Sequence, residues 1–340
     1  MLVENNSQKK FQTAWVMLSY VIAITLLLSG CGLAQETKVY RVGILSGFEF
    51  FYPAVDGFKA KMAELGYVEG QNIVYDVQTA PVDIEAYRSI VDKFVEDQVD
   101  LIFVFPTEAS MEAKAATQGT NIPVIFDLAF TDVEGINLIE SIRQPGGNIT
   151  GVRFPSSEIA SKRLQILLEL APDAKQVFVP YFEGYPNVPG QLDAIDTLAE
   201  SAGVTLVKFG TTNPEELQAE LDRQAVSGEL DAILLLAEPI SATPAFFTLL
   251  GKYSYEQKIP IGGTMISIDG YSTIFGLLPE AYQTGEHAAV MADKIFNGTP
   301  AGTIPVVTAE GLFTINVLAA QELDVIVPDG LLKQADKIIQ

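Results

Sequence analysis

DLIFVF, Asp100–Phe105, places one charge in front of five consecutive apolar residues. A strand with one wet face alternates polar and apolar side chains. An unbroken apolar run of this length is instead expected of a strand buried on both faces, inside a parallel sheet covered by helices. The flanks support that reading. Upstream, Val39–Leu45 reads as a strand, Tyr52–Leu65 as a helix stopped by Gly66, Asn72–Val77 as a strand and Ile84–Asp97 as a helix. Downstream, a helix is expected over Ser110–Thr117 and a strand over Pro123–Asp127. This βαβα order specifies a doubly wound α/β unit.

The same order returns in the second half. Asp231–Leu236 (DAILLL) follows Asp100–Phe105 at an offset of 131 residues, and Ile259-Pro260-Ile261 follows Ile122-Pro123-Val124 at 137. Strands over Gln176–Pro180 and Val204–Lys208 and helices over Gln191–Ala202 and Glu215–Ala225 fill the positions between. The fold class read from this pattern is α/β, two doubly wound parallel-sheet lobes in tandem. Between them Gln144–Gly151 (QPGGNITG) holds three glycines and a proline, which suit either a surface loop or a hinge where the chain crosses over.

Composition sets limits on function. The chain has 340 residues, 48% of them hydrophobic, enough for two large cores. It carries 21 basic and 43 acidic residues, a net charge of −22, which repels phosphate backbones and argues against nucleic-acid partners. One cysteine and one histidine, His287, exclude a disulfide framework and multi-His or multi-Cys metal sites. No phosphate loop, dinucleotide fingerprint or nucleophile elbow occurs, so no catalytic residue, metal or cofactor is assigned and an enzyme is not expected. His287 lies in an expected helix, where a surface or packing role outweighs catalysis.

The cysteine, Cys31, ends an uncharged stretch, Phe11–Gly30, that follows Lys9 and Lys10. A charged then apolar leader is the order of an export signal, with a single transmembrane helix as the competing reading. Leu28-Ser29-Gly30-Cys31 resembles the bacterial lipobox, which implies a signal peptide over 1–30, lipidation of Cys31, and a tether over 31–38 holding the body at a membrane outside the cytoplasm.

Ligands of open α/β sheets sit beyond the carboxyl ends of the strands, near helix N-termini. Those positions fall at Ser46–Tyr52, Pro106–Ser110, Asp127–Asp132, Tyr181–Asn187, Ala237–Ser241 and Thr264–Asp269. They combine aromatic side chains with hydroxyls and carboxylates, which suits a small amphipathic solute such as an amino acid. The candidate ligand-binding residues are Ser46, Tyr52, Thr107, Glu108, Phe130, Thr131, Asp132, Tyr181, Tyr185, Glu238 and Thr264. Hydroxyls and helix-start N–H groups would hold a carboxylate, and Asp132 or Glu238 an ammonium.

Five segments carry a family resemblance: GFKAKMAELGYVEGQNI (57–73), VDLIFVFPTEAS (99–110), IPVIFDLAFTD (122–132), RQPGGNITGV (143–152) and AAQELDVIVPDGLLKQAD (319–336). Together they resemble the ABC-transporter substrate-binding lipoproteins of the tryptophan/tyrosine-binding type, over nearly the whole chain after the leader. The resemblance implies a type I periplasmic-binding fold with a hinge. It places the N-terminal lobe at 39–149 plus about 271–303 and the C-terminal lobe at 150–270 plus about 304–340. It also implies a monomer that closes over a small solute and delivers it to a permease driven by an ATPase. By position, Thr107, Thr131-Asp132 and Tyr181 match residues of the family's ligand loops. The chain departs from the family at Val133, where proline is common, at Phe182-Glu183-Gly184 after Tyr181, and at Thr264-Met265. The rival outputs for this scaffold are an extracytoplasmic sensing domain acting through a partner receptor and a secreted enzyme.

Overall fold

A computed structural model describes residues 38–81, 83–131, 133, 135–241 and 243–340. The export signal expected over 1–30 and, except for Lys38, the tether expected over 31–38 with Cys31 lie outside the described residues, as does Asp132. Residues Arg41–Gln340 form one compact unit.

The first half runs β1 (Tyr40–Ser46), α1 (Pro53–Glu64), β2 (Ile73–Thr79), α2 (Ile84–Glu96), β3 (Leu101–Phe105), α3 (Thr107–Ala116), β4 (Val124–Ala129) and β5 (Ile149–Arg153). All five residues of β3 are buried, as the apolar run requires. It pairs in parallel with β1, Val42 opposite Leu101, and with β4, Ile102 opposite Val124. Helix α2 starts where the Asp83 carboxylate accepts the Ala86 N–H at 2.9 Å. Helix α3 starts three residues before the expected Ser110, because its buried face is built from small and hydroxylated residues, Thr107, Ala109, Ser110 and Ala113. That face carries no apolar periodicity to read.

The second half runs α4 (Ser156–Leu170), β6 (Gln176–Phe182), α5 (Val188–Ala202), β7 (Thr205–Thr211), α6 (Pro214–Ser227), β8 (Ala232–Leu234), α7 (Pro244–Gln257) and β9 (Ile261–Gly263). A small hairpin, β10 (Ser267–Ile268) and β11 (Tyr271–Ser272), leads to β12 (Phe275–Pro279). The rest is α8 (Ala281–Phe296), β13 (Val307–Thr308), β14 (Gly311–Asn316), α9 (Val317–Glu322), α10 (Asp329–Gln334) and β15 (Lys337–Ile339).

The two main sheets have the orders β2-β1-β3-β4-β5-β13 and β7-β6-β8-β9-β12-β14-β15. Their first five strands follow one pattern, second-first-third-fourth-fifth, so the internal repeat is one of topology. The chain passes between sheets three times: at Phe154-Pro155 after β5, at Glu280 between β12 and α8, and at Ala309-Glu310 between β13 and β14. Each passage leaves the carboxyl end of a strand, and helix α8 packs on α1, β4 and β5 of the first sheet.

These passages correct the expected divisions. Ile149–Arg153 pairs with β4 and belongs to the first sheet, so the first passage falls after Arg153 and not after residue 149. Residues 271–279 belong to the second sheet through β12, and 304–308 to the first through β13. The glycine-rich segment is a turn before β5, packed on the later strand of chain: the Gly146 N–H donates to the Gly302 carbonyl at 3.1 Å. One pair also departs from the all-parallel expectation, since β14 is antiparallel to β12. The chain leaves the second sheet at the end of β12 and re-enters from that same side, so β14 has to run the opposite way.

Candidate functional site

In the order second-first-third, the helices after the first and third strands pass to opposite sides, leaving a crevice at their carboxyl ends. The first sheet opens this crevice between Ser46, which ends β1, and Thr107-Glu108, which follow β3. The second opens it between the end of β6 with its following loop, 183–187, and Glu238 after β8.

The two halves influence each other here: the Tyr185 phenol, in the loop after β6, feels the charges of Glu108 on α3, of Glu238 and of Tyr87 on α2. Burial first, then those acidic neighbours, raise its pKa well above the usual tyrosine value. Tyr87 fixes the floor of the crevice by donating its hydroxyl hydrogen to the Gly47 carbonyl at 2.5 Å. A Cβ at Gly47 would lie 2.6 Å from the Tyr87 ring, so only glycine fits after Ser46.

Among the described residues, five buried side-chain polar atoms have no hydrogen-bond partner. One is the Tyr75 hydroxyl on β2. The other four are Ser46 Oγ, Asn187 Oδ1, Glu238 Oε1 and Thr264 Oγ1, all beyond the carboxyl ends of strands. Their residues are only 2%, 1%, 7% and 8% exposed. Leaving one such group unpaired costs about 1–3 kcal/mol, so these four atoms, at the carboxyl-end side of the two sheets, are the candidate partners of a polar ligand.

The surrounding network holds these atoms in place. Glu238 Oε2 accepts the N–H groups of Phe182 at 2.9 Å and Ile240 at 3.1 Å, leaving Oε1 as the unmatched oxygen. Asn187 stands at the N-cap position of α5 without a side-chain capping bond and donates its amide to the Ala237 carbonyl at 2.8 Å, which fixes Oδ1 as an acceptor. Gln191, one turn on and fully buried, receives the Ala237 N–H at 2.9 Å. Thr264 follows Gly263, whose φ of +129° and close approach to the Leu235 carbonyl admit no side chain.

Beneath Glu238 lies Arg163 of α4, fully buried. Its guanidinium donates to the Leu277 carbonyl from Nε (3.1 Å) and Nη2 (2.8 Å), and to the Leu235 carbonyl from Nη1 (3.1 Å). Burial lowers its pKa to about 9, opposed by the charge of Glu238. Burial in turn pushes the Glu238 carboxyl up to about 7, against its backbone hydrogen bonds and the Arg163 charge. The sequence reading did not single out Arg163, Asn187 or Gln191, although Asn187 closes one of its expected ligand stretches. A polar residue at a helix start just after a strand was the available signal for Asn187. Arg163, one cation in a helix, gave none.

Residues 44–339 match the sequence model of the ABC transporter substrate binding protein family. The chain belongs to this family. Its members bind a small solute for an ABC transporter, outside the cytoplasm, and are not enzymes. The chain is 28% identical to a tyrosine-binding protein of Clostridioides difficile strain R20291 over 312 residues, 89% of this chain and 82% of that protein. The solved ABC domain in complex with L-Trp from Streptococcus pneumonia superposes with a TM-score of 0.72 at 22% identity, covering 89% of this chain and all of that one. The ligand-free, open structure of CD0873, a substrate binding protein with adhesive properties from Clostridium difficile, gives 0.71 at 24%, with the same coverage. The fold is therefore the type I periplasmic-binding-protein architecture.

In this substrate-binding protein the remaining candidates divide. Thr107 is buried, but its oxygen already accepts the Phe130 N–H at 3.0 Å and so braces the loop after β4. Phe130 stands edge-on to Phe154 at the first passage, ring centroids 5.7 Å apart, with Thr131 half-buried beside it. Tyr181 lies over Gly210 of the neighbouring strand β7, which turns its ring sideways along the sheet. Tyr52 is exposed at the start of α1. Asp127 is fully buried and accepts the Thr284 hydroxyl at 2.8 Å, so it bonds helix α8 and not the crevice. His287 is exposed on α8.

Proposed function

We propose that this protein is the lipid-anchored solute receptor of an ABC importer and that its solute is an amino acid of the tryptophan/tyrosine class. The four unpartnered buried atoms, one from the first sheet and three from the second, carry this reading. A solute bridging Ser46 to Asn187, Glu238 and Thr264 would pair all of them at once, and it could do so only with the two halves together. The names of the tyrosine-binding relative and the L-Trp complex support the solute class.

In this account the lobes follow sheet membership: residues up to Arg153 with 281–308, and 156–279 with 311–340. They close by bending at the three passages. Arg153 ties two of these, donating to Thr308 Oγ1 at 2.9 Å and to Glu158 of α4 at 2.7 Å. A ligand drives closure only by binding the closed form better than the open one. The closed monomer is then the form offered to the permease, whose cytoplasmic ATPase powers import, while lipid on Cys31 keeps the receptor at the membrane.

Thermal melting tests the solute class. Protein freed of carried-over ligand by unfolding and refolding is melted with each amino acid in turn. A ligand at a hundredfold excess over Kd adds about 2.7 kcal/mol, a rise of several degrees. L-tyrosine or L-tryptophan is expected to give that rise. No shift with either, beside a shift with another solute, contradicts the assignment.

A further inference from the structure

Tyr185 holds one hydroxyl proton under the influence of two acids that belong to different sheets. Its loop is set by backbone bonds: the Tyr185 N–H donates to the Phe182 carbonyl at 3.2 Å, and the Val188 N–H to the Tyr185 carbonyl at 3.1 Å. The Phe182 N–H is held in turn by Glu238, so the loop keeps its place on the second sheet. Glu108 is placed as firmly on the first. It stands in the first turn of α3, and Thr107 before it braces the loop after β4. Its charge acts on Tyr185 and also on Tyr87, whose hydroxyl is tied to the Gly47 carbonyl at 2.5 Å.

Both acids act on the Tyr185 phenol through charge alone, and among the described residues neither holds it by a hydrogen bond. Burial and the acids oppose ionisation, so the phenol remains a donor. Its two acceptors are not equivalent. Glu238 already takes two backbone N–H groups, keeps a proton to about pH 7, and has its unmatched oxygen assigned to the solute. Glu108 belongs to the other half, and only a movement that brings the halves together shortens its gap to the phenol.

We infer that Tyr185 and Glu108 form a closing latch: as the halves close over the solute, the phenol donates to the Glu108 carboxylate and so slows release. The inference rests on the two-halved receptor reading, and both are positioning residues that act without touching the solute. A bond present only in the closed form favours that form by one factor, whatever lies in the crevice. The latch therefore sets how long a solute stays, not which solute is taken.

The test is stopped-flow binding of L-tyrosine and L-tryptophan to refolded, ligand-free wild type, Tyr185→Phe, Glu108→Ala and the double variant. Melting without ligand confirms that each variant folds. Tyr185→Phe keeps the ring and removes only the hydroxyl. Each single variant is expected to release both amino acids about tenfold faster, the scale of one charge-assisted hydrogen bond, with association unchanged. The double variant is expected to lose no more than either single one. Unchanged release, additive losses, a loss confined to one amino acid, or a loss in association rate overturns the latch and leaves the receptor reading standing.

If wild type binds neither amino acid, the solute class fails and the latch is decided without ligand. Tyr185→Arg sets a cation opposite Glu108 and is expected to reduce the radius of gyration in small-angle X-ray scattering. Adding Glu108→Ala to that chain is expected to reverse the reduction. An unchanged radius, or a reduction that survives Glu108→Ala, overturns the latch.

Discussion

Glu238 stands where function and stability oppose each other. In the folded chain its carboxyl keeps a proton to about pH 7, whereas an ordinary glutamate releases it near 4.5. Between those values the folded state holds the extra proton, so raising the pH through this window lowers folding stability. Arg163 on α4 and the Phe182 and Ile240 N–H groups limit the effect. Removing the charge should recover what is lost, on the order of 3 kcal/mol at 1.4 kcal/mol per unit of pKa. Glu238→Gln without ligand is therefore expected to gain melting temperature relative to wild type between pH 4.5 and pH 8. A difference that stays constant with pH would show that the carboxyl is not buried as described.

At the scale of elements, the least tolerant contact lies between α1 and α8, the helix that returns to the first sheet. A Cβ on Gly285 would fall 2.0 Å from the Ala54 carbonyl oxygen, and one on Gly57 2.0 Å from that of Tyr282. Both obstacles are backbone, so the helices have to separate to admit a methyl group. Gly285→Ala is expected to cost about 1–3 kcal/mol, read by urea denaturation. Gly330→Ala, with open space around it, is the matched control, and equal effects would contradict the close approach.

What could be read from sequence at this scale follows from how each element is stabilised. Strands β3 and β8 announce themselves because burial on both faces leaves only apolar residues. Strand β5 does not, since Thr150, Gly151 and Arg153 are buried through specific partners: Thr150 donates to the Ile304 carbonyl at 2.8 Å, 154 residues away. The glycines before it look like a hinge because turn and hinge make the same demand on φ. Antiparallel β14 follows from where the chain re-enters a sheet, which no local pattern encodes. Of the four residues with unmatched buried atoms at the crevices, Ser46, Glu238 and Thr264 were singled out by their place after strands. Arg163 was not, because its role comes from two carbonyls 72 and 114 residues away.

For the whole molecule, the repeat fits the proposal that one solute site draws on both halves. Each sheet supplies one crevice of the same topological kind, and the three passages leave from the carboxyl ends where those crevices lie. Neither crevice alone gathers all the unmatched atoms, with Ser46 in one and Asn187, Glu238 and Thr264 in the other. The central claim is that one solute satisfies both sets together. Its most direct test is a crystal structure of the protein grown with the amino acid that binds most tightly. The account predicts ligand polar atoms within hydrogen-bond distance of Ser46 on one side and of Asn187 and Glu238 on the other. A ligand lodged elsewhere, or held by one sheet with the other set untouched, would contradict it.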